Sequence, residues 1–131
     1  MFLDASAIVA IMTKESGWTA LAARLERALA PQTSPVAAYE TVTALTRKLA
    51  VPAETAQRDF RRFLATASVT VEPVTAEIAD LALEAFKRYG KGRHRAALNM
   101  SDCFAYACAK ARNAPLLFKG GSFVHTDIEA A

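Results

Sequence analysis

Asp4, Glu40 and Asp102 are the residues best placed to do chemistry. Asp4 directly follows the apolar pair Phe2-Leu3 and directly precedes a helical run. Asp102 falls in the first turn of a helix that opens at Ser101, and Glu40 lies in a helix that follows Pro35. Each has an ordinary reading. Asp4 suits a helix cap, with Ser6 beside it. Asp102 suits the positive end of a helix dipole. Glu40 lies nearly opposite the apolar row Ala38, Val42, Leu45 and Leu49, where a solvated glutamate would also lie. Brought together, the three would raise one another's pKa unless a cation lay between them. Hard oxygen donors of this kind favour Mg²⁺ or Mn²⁺ over zinc. Neither His94 nor His125 has a ligand partner one helical turn away or in a short motif, so both are read as non-ligands.

A second group is basic. Lys91, Arg93, His94 and Arg95 follow Lys87 and Arg88 within the run Gly90-Lys-Gly-Arg-His-Arg95. Such a group can contact the phosphates of an anionic chain, and Gly90 and Gly92 leave the loop free to adapt. The other reading is a solvated loop or a subunit contact. Arg58, Arg61 and Arg62 read as a solvated helix face. Cys103 and Cys108, five residues apart on one helix, point about 140° from each other. They read as reduced core residues that do not pair.

The elements that must position these groups are short strands and amphipathic helices. Phe2-Leu3 is a strand that ends at Asp4, with helical character through Ala7, Ile8 and Ile11. Trp18, Leu21, Leu25 and Leu29 recur at the spacing of one helix face, ended by Pro31. Pro35 opens a helix from Val36 to Ala50, and another follows Pro52, with Phe60, Phe63, Leu64 and Ala67 on its apolar side. Val69–Val74 is the clearest strand pattern, β-branched and bounded by turn residues. Ile78 to Tyr89 and Ser101 to Arg112 are helical, and Leu116–Phe118 is a buried strand. Strands alternating with helices predict a parallel sheet covered on both faces. Functional groups then gather beyond the carboxyl ends of the strands, where Asp4 stands.

Composition bounds the rest. At 131 residues, with 53% hydrophobic, the chain is expected to be one domain with a real core. A net charge of +3 permits an anionic partner without requiring one. The apolar run from Ala7 to Met12 is too short to span a membrane, and no basic region precedes it. A soluble, cytoplasmic protein is expected.

Four segments carry a resemblance: Phe2-Leu-Asp-Ala-Ser-Ala-Ile-Val-Ala10, Ser34-Pro-Val-Ala-Ala-Tyr-Glu40, Tyr89 through Asp102-Cys-Phe-Ala-Tyr106, and Leu116-Leu-Phe-Lys-Gly with Phe123-Val-His-Thr-Asp127-Ile. In order and spacing they resemble the PIN-domain toxins of the VapC type, from the first residue nearly to the last. The resemblance implies one three-layer α/β/α domain over residues 1–131, with a short parallel sheet ordered 3-2-1-4-5. It implies the toxin of a type II toxin–antitoxin pair: a Mg²⁺- or Mn²⁺-dependent endoribonuclease that cuts tRNA or rRNA and so inhibits translation. Asp4, Glu40 and Asp102 then match the acidic core, with Asp4 and Asp102 on the metal and Ser6 as a hydroxyl beside it. The implied partners are RNA, a VapB-type antitoxin and a second copy of the chain in a higher-order complex; operator DNA is reached only through the antitoxin. One position departs. Relatives usually carry an acid immediately before the phenylalanine, where this chain has Ser122. Either Asp127 supplies the fourth carboxylate or metal is held more weakly, and the alternative is a weakened module that binds its antitoxin and corepresses the operon. A phosphatase-like use of Asp4 as nucleophile would want an acid two residues on, where Ser6 stands.

Overall fold

The computed structural model describes all 131 residues. The strands are two residues long: β1 Phe2–Leu3, β2 Gln32–Thr33, β3 Thr70–Val71 and β4 Leu116–Leu117. All pair in parallel in the order β3-β2-β1-β4, with Phe2 opposite both Gln32 and Leu116. This is the expected order without a full fifth strand. Its place is taken by a single parallel bridge from Leu116 to Ala130.

The pleat sends successive side chains to opposite faces, which builds two cores. Phe2 and Leu116 enter one, packed with Ile78, Ala82, Tyr106 and Cys108 of α5 (Ala76–Tyr89) and α6 (Met100–Ala111). Leu3 and Leu117 enter the other, packed with Ile8, Leu21, Leu45 and Phe60. Those four residues come from α1 (Ala5–Thr13), α2 (Trp18–Glu26), α3 (Pro35–Leu49) and α4 (Ala53–Ala67). The result is three layers, helices on both faces of a parallel sheet. Cys103 and Cys108 are free and buried in the first core.

Local chemistry repeats at the strand ends. Asp4 ends β1 and caps α1; Ser34 ends β2 and caps α3, accepting from the Ala37 N–H at 3.1 Å, with Pro35 in the first helical turn. The same device therefore sets two helix amino ends beside the carboxyl edge of the sheet. Several sequence expectations shift. The second helix stops at Glu26, so Leu29 is fully exposed rather than on its apolar face. The Val69–Val74 pattern yields only Thr70–Val71, an exposed edge strand. The buried row of α3 is Ala37, Thr41 and Leu45, because α3 packs against both α1 and α4.

Candidate active site

Asp4 is 3% exposed and serves two roles. Its Oδ2 accepts from the Ser6 N–H at 3.0 Å and from the Ser6 hydroxyl at 2.5 Å, which caps α1. Its backbone N–H is tied to the Leu117 carbonyl at 2.9 Å, so both β1 and α1 fix its direction. Oδ1 carries no hydrogen bond within the chain, and Asp4 lines a groove of about 390 Å³ together with Glu40 and Asp102. The capping reading and the functional reading of Asp4 thus hold together.

Asp102 is held in the same manner. Its Oδ2 accepts from the Asn99 N–H at 3.0 Å, while Asn99 Oδ1 accepts from the Asp102 N–H at 2.9 Å, a reciprocal capping box. The box fixes one carboxylate oxygen and leaves the other for the groove. Glu40 belongs to the row Glu40, Ala44, Lys48 on α3, which forms one wall of the groove. Each acid is thus fixed by a strand end or a helix rather than by a flexible loop.

The electrostatics record the crowding. Burial pushes the Asp4 carboxyl up to about 7, against the hydrogen bonds from Ser6, and the charges of Asp102 and Glu40 push it further. Asp102 is likewise raised, by burial first and by Glu40. A cation at the groove would relieve both. No three His, Cys, Asp or Glu side chains stand close enough to cage a bare ion. The donor set fits Mg²⁺ or Mn²⁺ held in part by water, because Mg²⁺ keeps several waters and takes one or two carboxylates.

Asp127 does not belong to this groove. Its carboxylate accepts from the Tyr106 hydroxyl at 2.5 Å and from Lys110 Nζ at 3.2 Å, with Arg88 at 3.7 Å. Burial alone would raise it, but Tyr106, Lys110 and Arg88 hold it below the ordinary range. These partners lie further along α6 than Asp102 and at the end of α5. The structure thus holds the expected fourth acid apart from the other three, with its charge paired to Lys110 and Arg88. Ser122 stands two residues beyond Gly120, which lines the groove, and makes no capping bond.

The basic loop also lies outside the groove lining. His94 packs edge-on against Tyr89 and its Nδ1 accepts from the Ala96 N–H, Arg93 covers the Phe86 ring, and Lys91 lines an apolar groove between α5 and α6. Arg95 is exposed. The cations that do line the acidic groove are Lys48 and Lys119, both paired with Glu15. Sequence reasoning missed all three. Their contacts join positions 33 and 104 residues apart, and no local pattern marks them.

The sequence matches the PIN domain family over residues 1–129. It is 44% identical to a Ribonuclease VapC of Mycolicibacterium smegmatis, covering 99% of this chain and 98% of that protein. Ribonuclease VapC30 of Mycobacterium tuberculosis is 39% identical, covering 98% and 95%. Among solved structures, Mycobacterium tuberculosis VapC20, described as a sarcin-ricin loop cleaving toxin, superposes with a TM-score of 0.77 at 22% identity, over 99% of this chain and 97% of that one. A toxin–antitoxin complex from Klebsiella pneumoniae gives 0.70 at 14% identity, over 96% and 92%. At those identities the two structures speak to the fold alone.

Proposed function

We propose, from the premise that this chain belongs to the PIN-domain family and within it to the VapC ribonucleases, that its acidic groove is the active site of a divalent-metal-dependent endoribonuclease. The protein is a toxin endoribonuclease, a hydrolase of RNA phosphodiester bonds. The observation that carries the site assignment is the convergence of Asp4, Glu40 and Asp102 on one groove, with Asp4 buried and raised to about 7. The alternative of a weakened corepressor module is not favoured, because relatives matched over nearly their whole length are named ribonucleases.

Asp4 and Asp102 would hold Mg²⁺ or Mn²⁺ through the oxygens left outside their caps. When bound, such an ion supplies a reactive water at neutral pH and neutralises charge on the attacked phosphate. Ser6 fixes one carboxylate oxygen of Asp4 and leaves the other without a partner in the chain. Glu40 orients the attacking water opposite the departing oxygen, or completes the acceptor set. In-line attack then leaves a 5′-phosphate and a 3′-hydroxyl. Lys91, Arg93, His94 and Arg95, in the loop leading into Asn99 and α6, would contact RNA beyond the groove itself.

Residues 1–131 act as one PIN-like domain. A VapB-type antitoxin is the partner that silences the toxin and reaches operator DNA. The apolar groove between α5 and α6, lined by Leu83, Phe86, Met100 and Phe104, supports pairing with a second copy. No helix is long and apolar enough to cross a membrane; a toxin that acts on cellular RNA would work in the cytoplasm. The target is a structured RNA, tRNA or rRNA. Incubating the purified chain with total cellular RNA, with Mg²⁺ and with excess chelator, tests the reading. Discrete 5′-phosphorylated fragments in Mg²⁺ alone are expected; fragments bearing 2′,3′-cyclic phosphates would reject it.

A further inference from the structure

Besides the acidic centre, the groove contains a second set of charges, Glu15, Lys48 and Lys119, that the chemistry described above leaves unused. Lys119 Nζ donates to Glu15 Oε2 at 2.9 Å, and Lys48 Nζ pairs with Glu15 Oε1. The three come from the turn after α1, the last turn of α3 and the segment after β4. One carboxylate gathers two ammonium groups, so the set carries a surplus positive charge.

The backbone holds this arrangement. Lys14 takes the left-handed conformation at φ 55, usually left to glycine. Its N–H bonds to the Ile11 carbonyl while the Glu15 N–H reaches the Ala10 carbonyl at 2.9 Å, turning Glu15 back toward the groove. Gly120, at φ 106, bends the chain after Lys119. The Lys119 backbone N–H donates to Ser6 Oγ at 3.0 Å, and the Ser6 hydroxyl donates to Asp4 Oδ2. The Lys119 main chain is thus one hydroxyl away from the acidic centre. Partly exposed ion pairs contribute little to folding, so stability gives scant reason for a triple pairing here.

We propose that Lys48 and Lys119 clamp an RNA backbone phosphate next to the one attacked at the acidic centre, with Glu15 gathering the two ammonium groups until RNA arrives. This rests on the ribonuclease reading of the groove. Each ammonium has three donors and spends one on Glu15, leaving others for phosphate oxygens. Lys48 lies two turns from Glu40 on the same row of α3, about 12 Å along the axis. The acids and the lysines therefore mark two stations along one groove, which suits a chain with regularly repeated anions. An acidic peptide segment is the competing occupant.

The test uses a short single-stranded oligoribonucleotide and the full chain carrying Asp4→Asn, which keeps the cap and slows cleavage enough for binding to be read. Added to that background, Lys48→Gln and Lys119→Gln are each expected to weaken binding roughly fivefold, and the double variant to reduce the salt slope by about 0.7, the one phosphate contact that the two lysines share. Glu15→Gln is expected to bind RNA as tightly or more tightly; weakening equal to that of the lysine variants would mean a merely structural triad and overturn the clamp. With Asp4 intact, the lysine variants should raise KM more than they lower kcat. If the unaltered chain cuts no RNA, the ribonuclease reading itself fails. If it cuts RNA while both lysine variants keep its KM and salt slope, the clamp alone fails. Lysine variants that lose affinity only for an acidic antitoxin peptide would hand the pair to the antitoxin and overturn the proposal.

Discussion

At the scale of single residues, Asp4 bears the greatest conflict, being both a satisfied cap and a buried charge facing two others. Its ordinary value is 3.8 and its folded, metal-free value about 7. Between these the folded chain retains a proton that the unfolded chain has released. Asp4 therefore makes stability fall as pH rises through that window and level off above it. Asp4→Asn keeps the cap, because asparagine accepts the same hydrogen bond, and removes the titration. The unfolding free energy of Asp4→Asn should gain on the unaltered chain by on the order of a few kcal/mol between the two values. Mg²⁺ added near pH 8 should close the gap by stabilising the unaltered chain alone; chemical denaturation across pH measures both, and parallel curves would remove Asp4 from the charge cluster. Asp127 gives the opposite expectation. Bound by Tyr106, Lys110 and Arg88, it should lose about 0.5–1 kcal/mol of stability on Asp127→Asn, with kcat for RNA within roughly twofold of the unaltered chain. A large fall in kcat would restore it to the chemistry. Asp4, Glu40 and Asp102 were legible through motifs that each follow or open a helix. Glu15, Lys48 and Lys119 were not, because only the closed fold brings them together.

At the scale of elements, the site depends on where helices begin. α1 and α3 start directly after β1 and β2, and α6 starts at the Asn99–Asp102 box. Asn99→Ala removes the side-chain half of that box. It should cost about 1 kcal/mol of stability and loosen Asp102, weakening Mg²⁺ binding beyond what the stability loss explains. Thermal unfolding with and without Mg²⁺ separates the two effects; an unchanged Mg²⁺ shift would show that the cap positions nothing. Helices were readable because their apolar periodicity persists over many residues, as in α5, where Ile78, Ala82, Ala85 and Tyr89 are buried. Strands of two residues leave too short a pattern. Gln32–Thr33 is central in the sheet yet carries no apolar run, since its neighbours supply the burial. Val69–Val74 shows the stronger pattern and lies at the exposed edge. The face of α3 was misplaced by one residue, because a helix packed against both α1 and α4 buries a row between its two apolar stripes.

At the scale of the whole molecule, parallel pairing of all four strands puts every strand end on one side, and the groove lies there. The two cores hold the sheet from either face, so the carboxylates converge on a rigid frame rather than on a mobile lid. Asp4, with its raised carboxyl and its place beside Glu40 and Asp102, is the residue on which a metal-dependent ribonuclease site in this groove depends most. Single-turnover cleavage of a sensitive RNA, with the unaltered chain and with Asp4→Asn across a Mg²⁺ titration, measures that dependence most directly. The unaltered chain should cut with a rate that saturates in Mg²⁺, and Asp4→Asn should be slower by about a hundredfold or more at every concentration. Equal rates for the two chains, or undiminished cutting in chelator, would contradict the assignment.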